Sequence, residues 1–418
     1  MLACTWWGKN DVRMTQEPIP AVTDPKDAVI RVTGSTVCGS DLHLLHGEIM
    51  DLERGFVLGH EAMGRIDELG EALSNGEYKI GDRVVICFPI SCGSCRFCKE
   101  MLTTACDTTN ASPIMKKLYG QTTSGIFGYS HFVGGFGGCQ AEYVRVPFAD
   151  FNLLKVPDTV PDEKALFLSD IVATSYHAVF DTGCKQGETI GVWGLGPIGL
   201  EVCQWLQRTF RAARIVGIDK VPARLKFAHE KFGVDVYNFE ELEKERGADA
   251  VVTTILEKYP GGLDRCIDCA GFRYRKSWTH TIQAAIGLET DQPEVLNECI
   301  RAVRKFGSIG VIADYAGTTN GLLIGGVMEK GIRLIGCGQA PVQKYWKELM
   351  KKIETGEHDP TVLLTHRLPF EKCADAYYAM DQKQEGMIKT FLQTKFSSPR
   401  AEGTPELTDE VPKGGAFA

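Results

Sequence analysis

Glu188-Thr189-Ile190-Gly191-Val192-Trp193-Gly194-Leu195-Gly196-Pro197-Ile198-Gly199-Leu200 reads as a strand, a glycine turn and the start of a helix. Apolar periodicity resumes after the last glycine and runs from Leu200 to Phe210. The three glycines of the turn have separate uses. Gly194 permits the tight turn, Gly196 lets backbone approach a pyrophosphate, and Gly199 lets the helix lie close on the strand. The N–H groups and dipole of the helix start then favour phosphate. A bare GxGxxG carries little weight, but here a second strand, Arg214-Ile215-Val216-Gly217-Ile218, ends in Asp219, twenty residues after Gly199. That is where an acidic residue receives the ribose hydroxyls and repels a 2′-phosphate. NAD is the expected cofactor, held by the turn residues 194–199 and by Asp219. Lys220 and Arg224 are nearby cations that leave NADP open, and Arg224 is counted among the cofactor-binding residues. The competing reading is a βαβ unit that binds nothing.

Downstream, further β runs at Ala250-Val251-Val252, Arg265-Cys266-Ile267-Asp268, Ser308 to Ile312 and Arg333-Leu334-Ile335 alternate with helical patterns. This alternation predicts a parallel doubly wound sheet. Upstream the character differs. Short strand-like runs at 28–37, 63–66, 83–87 and 141–146, separated by glycine turns, predict a mostly β domain over the first 150 residues. Residues 110–140 are rich in Gly, Ser and Thr with scattered aromatics and read as a long loop, the kind that is often functional. A helix is expected from Tyr345 to Ile353, a last strand at Thr390 to Thr394, and a disordered tail from residue 396 to 418, where Pro, Gly and charge dominate.

Two cysteine-bearing features lie in the β part. Cys92, Cys95, Cys98 and Cys106 fall within fifteen residues at spacings of two, two and seven. Four such thiols converge readily on one tetrahedral ion, the usual form of structural zinc. An iron–sulfur cluster is the rival, although its ferredoxin spacing ends in a gap of three and a Cys-Pro. Ahead of them, Cys38-Gly39-Ser40-Asp41-Leu42-His43 is answered by Gly59-His60-Glu61. A thiol, a hydroxyl, two imidazoles and a carboxylate are the parts of a metal site that moves protons. Alone, Cys38 reads more readily as a buried apolar residue than as a ligand.

Bulk properties set limits. At 418 residues, two domains are expected. Forty-five Gly suit an α/β enzyme, and a formal charge of -8 argues against nucleic acid or an anionic membrane as partner. No basic leader with an apolar run opens the chain, and no uncharged apolar run reaches about 18 residues. The cytoplasm is therefore the expected compartment, with the fifteen Cys reduced.

Taken in this order along residues 1 to 395, these features resemble the zinc-dependent medium-chain alcohol dehydrogenases. The resemblance implies a GroES-like β-rich catalytic domain from 1–172 and 338–395, with the structural zinc lobe at about 89–112, and a Rossmann NAD-binding domain from 173–337. It implies two zinc ions per chain. The catalytic one would be held by Cys38, His60 and a third residue at the domain junction, where this sequence has Asp170 and liver-type enzymes have Cys. Carboxylate at that position, Gly138-Cys139-Gln140-Ala141-Glu142-Tyr143, Phe151-Asn152-Leu153-Leu154-Lys155 and a lengthened segment after Cys269 are similar to the glutathione-independent formaldehyde dehydrogenase branch. By the same resemblance Ser40 and His43 relay a proton, Glu61 approaches the metal or supports it, and Lys389 reaches the cofactor pyrophosphate. Phe88 and Phe132 line the substrate pocket. The expected activity is hydride transfer between NAD and a small alcohol or aldehyde, in a homodimer or homotetramer. Two alternatives stand beside it: an aldehyde dismutase with permanently bound NAD, and a catalytically silent nucleotide-binding protein.

Overall fold

Backbone pairing divides the chain into two units, residues 1–173 with 341–418, and residues 174–340. The computed structural model describes residues 1–73, 76–270, 293–315, 317–382 and 386–412. The lengthened segment between Phe272 and Asn297 lies outside the described residues up to 292.

In the second unit six parallel strands lie in the order Asp235–Asn238, Arg214–Asp219, Thr189–Trp193, Leu263–Asp268, Val303–Val311 and Arg333–Gly336. Numbered within the unit this is 3-2-1-4-5-6, so the strand order reverses at Thr189–Trp193, and a ligand crevice belongs at its carboxyl end. Val216, Ile218, Cys266, Ile300 and Ile309 are buried in its core. Strands covered on both faces read as near-continuous apolar runs, which is why this sheet was legible.

One run was misread. Ala250-Val251-Val252 opens the helix Ala250–Lys258 rather than a strand. Val251 and Ile255 are both buried four residues apart, which is the helical period, and tertiary burial outweighs the β preference of two valines. The strand in that part of the sheet is Asp235–Asn238, which is only half-buried and lacks an apolar signature.

The glycine turn has the geometry its spacing implies. Gly194 has φ +85°, and a Cβ there would come 2.7 Å from Ala270 Cα. A Cβ on Gly199 would stand 1.9 Å from the Gly194 carbonyl oxygen, whereas the nearest atom to one on Gly196 is an Arg224 Nη at 3.7 Å. The second glycine thus leaves room for a ligand, and the third leaves none even for a methyl group.

The first unit is built on the strand Ala28–Ser35. It pairs antiparallel with Ala62–Leu69 on one side; on the other its start pairs with Tyr143–Val146 and its end with Lys389–Gln393. Arg83–Ile86, Leu153–Lys155 and Leu364–Pro369 complete a seven-stranded sheet. The last strands of the chain therefore complete a sheet centred on a strand near its start, while Leu2–Gly8 and Asp11–Gln16 lie in a separate three-stranded sheet. Residues 110–140 are not one long loop. They contain the helix Pro113–Tyr119, with Ser112 Oγ accepting from Met115 N and Gly120 at φ 79° ending it, then the short strand Gly125–Ile126 and a 3-10 turn at His131–Val133.

The expected disordered tail is ordered through residue 412. Thr408 N donates to Arg367 O at 3.0 Å, Leu407 bridges to Arg367, and Ala401 N donates to Glu163 Oε1 at 3.1 Å. Leu364–Pro369 ends the sheet, and its unpaired backbone groups are what the polar tail satisfies. The buried Arg367 side chain, paired with Glu163 and stacked over Phe391, anchors the arrangement.

Replacing Gly199 with Ala is expected to destabilise the second unit by about 1–3 kcal/mol through overpacking. Gly196→Ala should cost clearly less; thermal unfolding followed by circular dichroism compares the two.

Candidate active site

The four clustered cysteines meet around one point. Cys92 follows the strand Pro89–Ile90, Cys98 sits on the short helix Arg96–Lys99 with Cys95 as its N-cap, and Cys106 ends a 3-10 turn. Their sulfurs lie within 4.8 Å of one another, with Cys92 to Cys98 at 3.9 Å and Cys95 to Cys106 at 4.0 Å. Zinc–thiolate bonds of about 2.3 Å in a tetrahedron put sulfurs about 3.8 Å apart, so the set fits that ion. Burial pushes the Cys92 thiol up, but hydrogen bonds from Thr108, Ser94 and the Cys95 N–H outweigh it and bring it down to about 5. Burial, with Cys95 and Cys106 beside it, pushes the Cys98 thiol the other way, so the cluster holds its negative charge unevenly.

A second set gathers Cys38, His60, Glu61 and Asp170, whose donor atoms also lie within 4.8 Å of one another. Cys38 follows the central strand, His60 and Glu61 precede the strand Ala62–Leu69, and Asp170 follows the 3-10 turn Leu166–Ser169. His60 Nε2 is 3.3 Å from Asp170 Oδ2, 3.9 Å from Glu61 Oε1 and 3.4 Å from Ser40 Oγ. Two anchors seat the Asp170 turn: Phe88 N donates to Ser169 O at 3.2 Å, and Trp346 Nε1 donates to Leu168 O at 2.8 Å. Sulfur, nitrogen and carboxylate donors in a buried pocket suit zinc.

Behind His60 lies a network that motif reading did not assign. Asp41 Oδ1 accepts from His60 Nδ1 at 3.0 Å, and Asp41 Oδ2 accepts from Cys38 N at 2.9 Å and from Gln140 Nε2 at 3.1 Å. Tyr377 OH in turn donates to Gln140 Oε1 at 2.7 Å. Burial alone drives the His60 imidazole down, but Asp41, Asp170 and Cys38 override it and hold it well above its ordinary value. A metal taken up here displaces that proton.

Lys389 departs from its expected place on a pyrophosphate. Its ammonium is wholly buried against Glu61 Oε1. Burial disfavours its charge, but Cys38, Glu61 and Asp170 surround it and raise it above the ordinary lysine value. The ring of Phe88 stands 6.1 Å from that of His60, tilted by 73°. Phe132 instead packs edge-on to Tyr119, at 6.2 Å, and the ring that the 110–140 segment sets against His60 is Tyr129, at 5.4 Å. The 3-10 turn at His131–Val133 carries Phe132, so the ring the resemblance implied for the substrate pocket is the one set against Tyr119. His43 lies one turn beyond Ser40, and its Nδ1 is 2.6 Å from Glu48 Oε2.

In the second unit Asp219 is buried at the end of its strand. Its Oδ2 accepts from Leu195 N at 2.7 Å and its Oδ1 from Lys220 N and Val221 N. A small open groove is lined by Trp193, Gly194, Ile218, Asp219, Ala270 and Glu298. Leu195 is buried, Pro197 opens the helix Pro197–Arg208, and Ile198 is partly exposed on its first turn.

Comparison with known proteins gives this arrangement a family. Residues 24–158 match the alcohol dehydrogenase GroES-like domain. A zinc-type alcohol dehydrogenase-like protein of Schizosaccharomyces pombe is 42% identical over 392 residues, covering 94% of this chain and 90% of the relative. The chain belongs to the zinc-type alcohol dehydrogenase family. Within the family, a glutathione-independent formaldehyde dehydrogenase of Pseudomonas aeruginosa is 32% identical over 368 residues, covering 83% of this chain and 86% of the relative. The solved alcohol dehydrogenase of Thermus sp. ATN1 superposes with a TM-score of 0.76 at 27% identity, over 94% of this chain and 100% of that one. The GroES-like and Rossmann expectations hold. Among the described residues, no helix is long and apolar enough to cross a membrane.

Asp41→Ala is expected to weaken zinc binding at the Cys38 set by about 10- to 100-fold, since it frees the His60 ring. Chelator competition followed by metal analysis measures this, and the Cys92 set should keep its ion.

Proposed function

We propose that this family member is a zinc- and NAD-dependent oxidoreductase acting on small primary alcohols and aldehydes, with formaldehyde in its range. The observation that carries the reading is the buried donor set of Cys38, His60 and Asp170 beside the Ser40 hydroxyl, with the rings of Phe88 and Tyr129 edge-on to His60. The relative named as a glutathione-independent formaldehyde dehydrogenase supports the substrate class.

Cys38, His60 and Asp170 hold the catalytic zinc, and Cys92, Cys95, Cys98 and Cys106 a structural one. Bound in these places, zinc supplies a Lewis acid for the substrate oxygen and NAD a hydride acceptor or donor. The chain's own residues do the rest. Asp41 fixes the His60 ring so that Nε2 faces the cluster. Phe88 and Tyr129 limit the size of the group beside it and exclude water. Ser40 takes the hydroxyl proton, and His43 carries it outward. Glu61, held by Lys389, supports the metal from behind.

Residues 173–337 bind NAD. Two ionised carboxylate oxygens offer about four lone-pair sites, and three of those on Asp219 receive backbone N–H groups. The fourth serves a ribose hydroxyl, and the charge repels a 2′-phosphate.

Formaldehyde, longer aldehydes and primary alcohols, each with NAD and with NADP, are to be followed at the nicotinamide absorbance. Turnover with NAD and short substrates is expected; turnover with NADP alone would remove Asp219 from its role. Asp170→Ala should abolish activity and lose one of two zinc ions by metal analysis. Retention of both ions takes Asp170 off the ligand set.

A further inference from the structure

Ser40 precedes the helix Asp41–Leu45, and His43 N donates to Ser40 O at 3.1 Å, so the two side chains stand one turn apart. Ser40 Oγ meets the metal set at its inner end, through His60 Nε2. At the outer end His43 is fastened twice by Glu48. Glu48 N donates to His43 O at 2.9 Å, and His43 Nδ1 lies 2.6 Å from Glu48 Oε2. The imidazole is nearly closed off, with 9% of its side chain exposed, while Glu48 keeps 36%.

These contacts decide which nitrogen of His43 works. An ionised carboxylate only accepts, so the hydrogen of the 2.6 Å contact is on Nδ1, and the lone pair that can take a proton is on Nε2. We propose that Glu48 is a positioning residue of the proton exit: it locks His43 in the Nδ1–H tautomer and balances the imidazolium formed when Nε2 takes the alcohol's proton. The inference rests on the function proposed above. Its proton balance is simple. The O–H bond of the substrate breaks and an N–H bond forms at His43 Nε2; that N–H then gives its proton to water, so that the Nδ1–H stays on Glu48 and the acceptor at Nε2 is restored, while NAD bound as proposed above would take the hydride.

Two measurements on the zinc-loaded protein test it. In 15N-histidine-labelled enzyme, His43 should show the Nδ1–H tautomer, and Glu48→Gln should convert it to a mixture. An unchanged tautomer in Glu48→Gln overturns the proposal, whatever the activity. In steady-state alcohol oxidation, Glu48→Gln should lose about 10- to 100-fold in kcat, with KM for alcohol and zinc content unchanged. Its solvent deuterium isotope effect should rise, and added imidazole should restore much of the rate. Glu48→Asp should retain most activity. A loss of rate that neither imidazole nor Asp repairs, or no loss, overturns the exit role. Absence of any nicotinamide-linked turnover in the unaltered enzyme would count against the proposed function, and the tautomer result would still decide Glu48.

Discussion

The first unit depends on one buried carboxylate. Asp41 accepts hydrogen bonds from the His60 ring, the Cys38 N–H and the Gln140 amide. Gln140 adds Thr36 O and Tyr377 OH. Four stretches of chain, around residues 38, 60, 140 and 377, are thereby tied to one anion. A buried carboxylate left unpaired is costly, and each of these donors offsets part of that cost. Metal-ligating histidines commonly have such a partner behind them, because it sets the tautomer and aims the other nitrogen.

In front of Asp41 opposite charges meet at close range. Glu61 and Asp170 carboxylates and the Cys38 thiol face the His60 ring and the Lys389 ammonium, all with little or no exposure. Removing one member of a buried pair leaves an uncompensated charge, typically at about 3–5 kcal/mol. The surplus of anionic donors over cations is the property that suits a divalent ion. Lys389 belongs to this cluster, and that is why its position near the end of the chain matters to a site that begins at Cys38. The sheet brings them together: Lys389–Gln393 pairs with the end of Ala28–Ser35, three residues before Cys38.

Several features absent from the sequence reading had signals that were present but weak. Ser112-Pro113 before the helix and Gly120 after it are ordinary start and stop residues, hidden by the polar composition around them. Tyr129 and Phe132 are three residues apart in one aromatic-rich stretch. Which of them faces His60 depends on Gly128, whose φ is +63° and whose Cβ position would fall 2.2 Å from Gly59 O. That close approach of two glycine backbones aims the ring, and no local pattern reports it. Composition alone predicts a disordered tail. Composition speaks to whether a segment can build its own core, and this one needs none, because it borrows a sheet edge.

The sequence by itself determined whatever is encoded in short, rigid spacings. The glycine turn with Asp219 twenty residues beyond it, the four cysteines within fifteen residues, and the short Cys38 and His60 motifs are fixed spacings along the chain, and burial on both faces makes most of the parallel strands readable as apolar runs. Only the tertiary structure decided the partners: Asp41 and Gln140 behind His60, Tyr129 beside it, Lys389 on Glu61, and Glu48 on His43. Except for the last, these pairs join residues distant along the chain, and their distances follow from strand register and glycine packing rather than local preference. Even the Glu48 contact depends on the turn that ends a five-residue helix, whose path is set by what it packs against.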